Sequence, residues 1–197
     1  MGPHLDTLAA IARDSKDYQG HGWGCAWLEA GRWRIYRTIE PIWEDQEVPH
    51  ERTTMMLAHA RSAFRDEGIS VENNMPFGDG EYMFVFNGEL RGVRISEHGR
   101  IGAEKVFNYI KRFDRGDMLH AMRRALVIIE RRTHYVRAMN IIIASTSEAW
   151  VATKYNEDPD YFQMSSFRSD DLHILCSQAY PGGNDWLPVP NGTIESF

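Results

Sequence analysis

The sequence predicts an α+β fold with mainly antiparallel sheets. Three observations carry this. A helix-spaced opening is followed by a block of strand-like segments. Two consecutive amphipathic helices then fall between residues 103 and 132. A second block of short strands closes the chain, without the strict strand–helix alternation of a parallel sheet. At 197 residues the chain fits one domain or at most two small ones, and a single domain spanning 1–197 is expected, large enough to bury roughly 70% of its unfolded surface.

Leu5, Leu8, Ala9 and Ala12 recur at helical spacing, which predicts a helix over 4–16. Gly20-His21-Gly22 breaks it. Segments 23–29 and 32–38 read as strands joined at Ala30-Gly31, a hairpin signal. A third strand is expected over 55–63, and a fourth over 82–86 ending at Asn87-Gly88. The connection over 64–80 is rich in Asp, Glu, Asn and Gly, and a loop of that length inside a domain is commonly functional. Val106, Phe107 and Ile110 make one apolar stripe in a helix over 103–113. Leu119, Met122, Leu126 and Ile129 make another over 117–132, with Arg115-Gly116 between the two helices. Further strands are expected near 138–144, 150–155, 162–167 and 172–177. There is no internal repeat.

Charge narrows the function classes. Acidic residues outnumber basic ones by 28 to 22, which argues against nucleic acid as the partner because phosphate binding needs a cationic field. Arg123, Arg124, Arg131 and Arg132 on one helix read as a solvated face. No run of 18 or more apolar residues suggests a membrane span, and no charged segment leads into an apolar leader, so a cytoplasmic protein is expected. Cys25 and Cys176 are the only cysteines. They lack metal spacing and form no disulfide framework, so both are expected to be small buried hydrophobes. His59 has no histidine four residues away. No metal and no cofactor is expected.

Four segments carry the chemistry: HGWGCAW at 21–27, LAHARSA at 57–63, ENNMPF at 72–77 and FVFNGEL at 84–90. In this order they resemble the glutaminase domain of class II glutamine amidotransferases, the N-terminal nucleophile hydrolases that split the glutamine side-chain amide into glutamate and ammonia. The resemblance implies a four-layer αββα sandwich of two antiparallel sheets. It also implies roles for particular residues. Asn87 and Gly88 match the Asn-Gly pair whose side-chain amide and backbone N–H form the oxyanion hole, where each donor can be worth about 3 kcal/mol. Arg61 matches the arginine that binds the substrate carboxylate, a grip that a planar guanidinium makes through two parallel hydrogen bonds. Asn73, Pro76 and Phe77 match an Asn-x-His-Pro-Phe loop in which Met75 replaces the histidine. His21-Gly22-Trp23-Gly24 resembles Asp-Gly-Trp-Gly, whose glycines are expected to serve close packing.

The departures are equally specific. The family nucleophile is a cysteine following the initiator methionine, and here the chain opens Met1-Gly2-Pro3-His4. Cys25, inside an expected strand, is not its replacement. A Ser-Asp-Thr-Glu motif opens the first middle helix in relatives, and its aspartate binds the substrate's amino group. Here Ile101-Gly102-Ala103-Glu104 stands at that place, so Gly102 replaces the aspartate. The N-terminal strand of relatives is missing ahead of the helix at 4–16. Two expectations follow from these departures. Either the nucleophile lies upstream of Met1, or the site is degenerate and the chain is an inactive binding or structural subunit. The expected ligand is glutamine or a related small amide, with a separate protein as the ammonia acceptor.

Overall fold

Helix α1 (Gly2–Arg13) opens the chain two residues before the sequence expectation, because Pro3 sits in the first turn, where a missing N–H leaves no hydrogen bond unmade. The computed structural model describes residues 1–183 and 185–197. They group into two compact units, 1–85 with 143–147 and 86–142 with 148–197.

In the first unit, strands β1 (Trp23–Glu29), β2 (Arg32–Thr38) and β3 (Met56–Ala60) form an antiparallel sheet in the order β2-β1-β3. The hairpin expectation holds. Ala30 and Gly31 both have positive φ, 49° and 73°, as the favoured two-residue turn requires to match the strand twist. Trp23, Cys25 and Trp27 alternate along β1 and therefore share one face, where they pack with Leu5 and Ala12 of α1 and with Ile42. The third strand is shorter than expected. It stops at Ala60, and Arg61 continues only as a parallel bridge to Gly20. Two short 3-10 turns, Phe64–Asp66 and Val71–Asn73, punctuate the long connection. Strand β4 (Phe77–Gly78) then pairs with the start of β5 (Met83–Val93).

Strand β5 corrects one expectation. It does not end at Asn87-Gly88 but runs through both to Val93. The glycine answers to a close approach instead of a turn: a Cβ on Gly88 would lie 2.1 Å from the carbonyl oxygen of Ala138.

The second unit holds the rest of β5, helices α2 (Gly102–Lys111) and α3 (Met118–Arg131), and most of strand β6 (Thr133–Ala144). Strand β7 (Ala149–Ala152), the short helix α4 (Pro159–Phe162), and strands β8 (Ser165–Arg168), β9 (His173–Cys176), β10 (Leu187–Pro188) and β11 (Ile194–Ser196) follow. Strands β11, β7, β6 and β5 lie side by side in that order, and β8 lies between β10 and β9. Asp117 caps α3 by accepting the His120 N–H at 2.8 Å. Met122, Leu126 and Ile129 are buried as the stripe predicts, and Met118, Ala121 and Ala125 complete it, while Leu119 is half-buried. The expected strand at 162–167 splits into α4 and β8, because Pro159 starts a helical turn. Among the described residues no helix is long and apolar enough to cross a membrane.

Cys25 is fully buried, and burial, then the charges of Glu51 and Asp45, push its thiol up to about 12. Cys176 is half-buried rather than buried, and desolvation pushes its thiol up to about 12 as well. Unfolded thiols ionise near 9.0, so between the two values the unfolded chain binds fewer protons than the folded one. Stability therefore falls as pH rises through that window. Melting temperature is expected to drop steadily from about pH 9 upward, with a shallower slope in Cys25→Ala. An identical slope in the variant would contradict the assignment.

Candidate functional site

The first unit builds its site around Arg61. Backbone bonds fix the residue from both sides: its N–H donates to Gly22 O at 2.9 Å, and its carbonyl accepts the His21 N–H at 3.1 Å. The residue is only 6% exposed. Nη1 donates to Gly68 O at 3.0 Å and to Asn74 Oδ1 at 3.4 Å. Among the described residues no carboxylate lies within ion-pair distance of the guanidinium. Burial pulls its pKa below the ordinary arginine value, yet a guanidinium stays protonated in proteins. The unit thus holds a buried cation without a counter-charge, a costly arrangement unless an anion meets it.

The surroundings of Arg61 are pinned by residues that the sequence only partly flagged. Asn74 is fully buried and joins two segments: its Nδ2 donates to Thr38 O at 2.6 Å while its Oδ1 accepts from Arg61. The neighbouring Asn73, which matched the family loop, donates to Gly68 O at 2.9 Å. The glycines of the Gly-Trp-Gly segment make room for this loop. Gly22, at φ 101°, would place a Cβ 2.2 Å from Asn74 Nδ2, and Gly24 would place one 2.6 Å from Met75 O. The positive φ and the close approach together explain why Gly22 is glycine.

His21 stands where relatives carry an aspartate, and it has a structural role here. Its Nδ1 accepts the Ala63 N–H at 2.9 Å, which leaves the proton on Nε2, 3.3 Å from Asp66 Oδ1. Asp66 and Arg65 both hold positive φ, 55° and 56°, at the tip of the connection. His59 is half-buried in β3, opposite Gly24.

Asn87 and Gly88 belong to the second unit, both half-buried in the body of β5. Gly102 is the first residue of α2, after an Ile101 cap that offers no side-chain hydrogen bond. A Cβ on Gly102 would meet nothing within 4 Å. Glu104 binds locally: it accepts the Arg100 N–H at 2.6 Å and pairs with the Arg100 guanidinium. Among the described residues no cluster of His, Cys, Asp and Glu has the arrangement of a metal site.

The open space at Gly102 gives a direct prediction. Gly102→Asp is expected to fold and to gain stability. A carboxylate in the first helical turn contributes about 0.3–1 kcal/mol, and replacing a helical glycine contributes further tenths. Thermal denaturation should show a rise of roughly 2–4 °C. A lower melting temperature would show that the position is more constrained than its surroundings indicate.

No family model matches the chain. It is 26% identical over 178 residues to the gamma-glutamyl-hercynylcysteine sulfoxide hydrolase of Mycobacterium tuberculosis (strain CDC 1551 / Oshkosh), a match covering 86% of this chain and 72% of that protein. Solved structures give the fold. A glutamine aminotransferase class-II domain protein from Silicibacter pomeroyi aligns with a TM-score of 0.69 at 17% identity, over 88% of this chain and 86% of its own. The glutamine phosphoribosylpyrophosphate amidotransferase of B. subtilis aligns with a TM-score of 0.68 at 15% identity, over 99% of this chain. The chain spans 46% of that larger protein. A predicted glutamine amidotransferase from Pseudomonas aeruginosa PA01 aligns with a TM-score of 0.59 at 15% identity, over 90% of this chain and 84% of its own. The order of helices and antiparallel sheets and these three alignments agree: the chain has the fold of the class II glutamine amidotransferase domains, the fold its four sequence segments had suggested.

Proposed function

We propose that this chain recognises γ-glutamyl amides, glutamine first among them, and that its ancestral reaction is hydrolysis of the side-chain amide to glutamate and ammonia. The observation that carries the proposal is the buried Arg61 guanidinium without an acidic partner. A ligand α-carboxylate would neutralise it and take the donors that Gly68 and Asn74 leave unused. The M. tuberculosis relative, a hydrolase whose name also carries a gamma-glutamyl group, supports a ligand class defined by that group and not by the amine attached to it.

By the family resemblance, Asn87 and Gly88 of the second unit are the proposed oxyanion donors. A nucleophile adds to the amide carbon, the carbonyl oxygen becomes an oxyanion, and the Asn87 side-chain amide and Gly88 N–H donate to it. The tetrahedral species collapses, the C–N bond breaks and protonated nitrogen leaves as ammonia. Water then cleaves the acyl intermediate to give glutamate. Neither Cys25 nor Cys176 suits the first step, since each thiol is held to about 12 by burial and the attacking species is the thiolate. In the hydrolytic reading the nucleophile comes from outside these 197 residues, as the family resemblance implies. A protein without one would keep the fold as a binding or structural subunit, and the glycine at position 102 favours this second reading. In the hydrolytic reading a separate protein accepts the ammonia.

Ammonia release from L-glutamine by the longest in-frame form, with the 197-residue chain as control, separates the two readings. Release by the longer form alone supports hydrolysis. No release by either form, with glutamine still bound, supports the binding subunit.

A further inference from the structure

We propose that a groove between α1 and the segment at 41–50 binds a small organic cation, an ammonium group carried on an apolar body. The groove encloses about 370 Å³, within the range of small-molecule sites. It lies wholly in the first unit and does not depend on the reading of Arg61. Leu5 and Ala9 of α1 and Ile42, Trp43 and Val48 supply its apolar wall. Asp45 supplies the polar group that decides its selectivity.

Three donors lock that carboxylate in place. Trp23 Nε1 and Tyr36 OH both donate to Oδ2 at 2.8 Å, and the Glu47 N–H donates to Oδ1 at 2.9 Å. All three are neutral, so they position the charge without cancelling it. No lysine or arginine pairs with Asp45 among the described residues. Arg13 also lines the groove, but its Nε is engaged by Asp14 at 3.2 Å.

The segment at 40–51 adds charge of the same sign. Between 40 and 51 the sequence carries Glu40, Glu44, Asp45, Glu47 and Glu51 with no lysine or arginine. Half-buried Tyr36 and buried Cys25 feel it: desolvation and then Asp45 raise the Tyr36 phenol, and burial, then Glu51 and Asp45, push the Cys25 thiol up to about 12. A cation entering the groove would meet a fixed carboxylate and the aromatic ring of Trp43, both of which line it, the combination that can hold ammonium groups through charge and ring quadrupole together. An anion would be repelled, and a neutral apolar molecule would leave the carboxylate uncompensated.

The test titrates phenethylamine, and 2-phenylethanol as its neutral counterpart, into the 197-residue protein. Tryptophan fluorescence and amide chemical shifts at 41–50 follow the binding. Saturable binding of the amine is expected, at least tenfold weaker for the alcohol and weakened by salt. Asp45→Asn should reduce amine affinity at least tenfold. Ala10→Leu, at an exposed helical position on the groove wall, should block binding with the fold intact by circular dichroism. It decides the matter if Asp45→Asn fails to fold. No saturable binding at millimolar amine, equal affinity for the alcohol, or undiminished binding in Ala10→Leu would overturn the proposal.

Discussion

Gly22→Ala is expected to destabilise the protein by about 3–5 kcal/mol and to lower its melting temperature by roughly 10 °C or more. Two costs add. At φ 101° any side chain carries backbone strain of about 1–3 kcal/mol. The new Cβ would also lie 2.2 Å from Asn74 Nδ2 and 2.4 Å from Thr38 O, so the Asn74–Thr38 hydrogen bond must break or the segment must shift. Gly116→Ala is the control: it too has positive φ, 87°, but nothing lies within 4 Å of its Cβ. It should lose only the conformational part. Equal losses in the two variants, read from thermal or urea denaturation, would show that the approach of Asn74 contributes nothing.

Arg61→Lys is expected to weaken glutamine binding by roughly 10- to 100-fold, the loss of one charge-assisted hydrogen bond worth about 1.5–3 kcal/mol. Lysine keeps the charge but cannot present two parallel donors to a carboxylate. It is preferable to Arg61→Ala, which would also strip the donors from Gly68 O and from the fully buried Asn74 and so confuse binding with folding. Calorimetry on variants with matching circular dichroism gives the ratio directly. An unchanged dissociation constant would remove Arg61 from the ligand and leave it as the brace of the 68–74 loop.

Most of the framework was legible in the sequence because it follows local rules. The hairpin of β1 and β2 has the bounds its pattern gave, since Ala30-Gly31 supplies the two positive φ angles of its turn. Helices α2 and α3 followed from apolar stripes. What escaped is set by contacts distant in sequence. Asn87-Gly88 has the composition of a turn, yet the pair lies within β5, and the reason for the glycine is a backbone oxygen fifty residues away, at Ala138. Strands β10 and β11 are two and three residues long, too short for any periodicity to show. In the site, Arg61 was visible through its motif, but its lack of an acidic partner was not. Asn74 matches no motif position beside Asn73, and its only sign in the sequence is the glycine at position 22, which makes room for it. His21 stands at an acidic position of the motif, and its bonds to Ala63 and Asp66 make it a brace.

The most direct test of the central claim is a calorimetric titration of the protein with L-glutamine and with L-glutaminamide, which lacks the α-carboxylate. Recognition through Arg61 predicts saturable one-to-one binding of glutamine and a loss of at least tenfold for glutaminamide, with the difference reduced in Arg61→Lys. Equal binding of the two compounds, or no binding of glutamine by the folded protein, would contradict the claim that this fold retains a γ-glutamyl site.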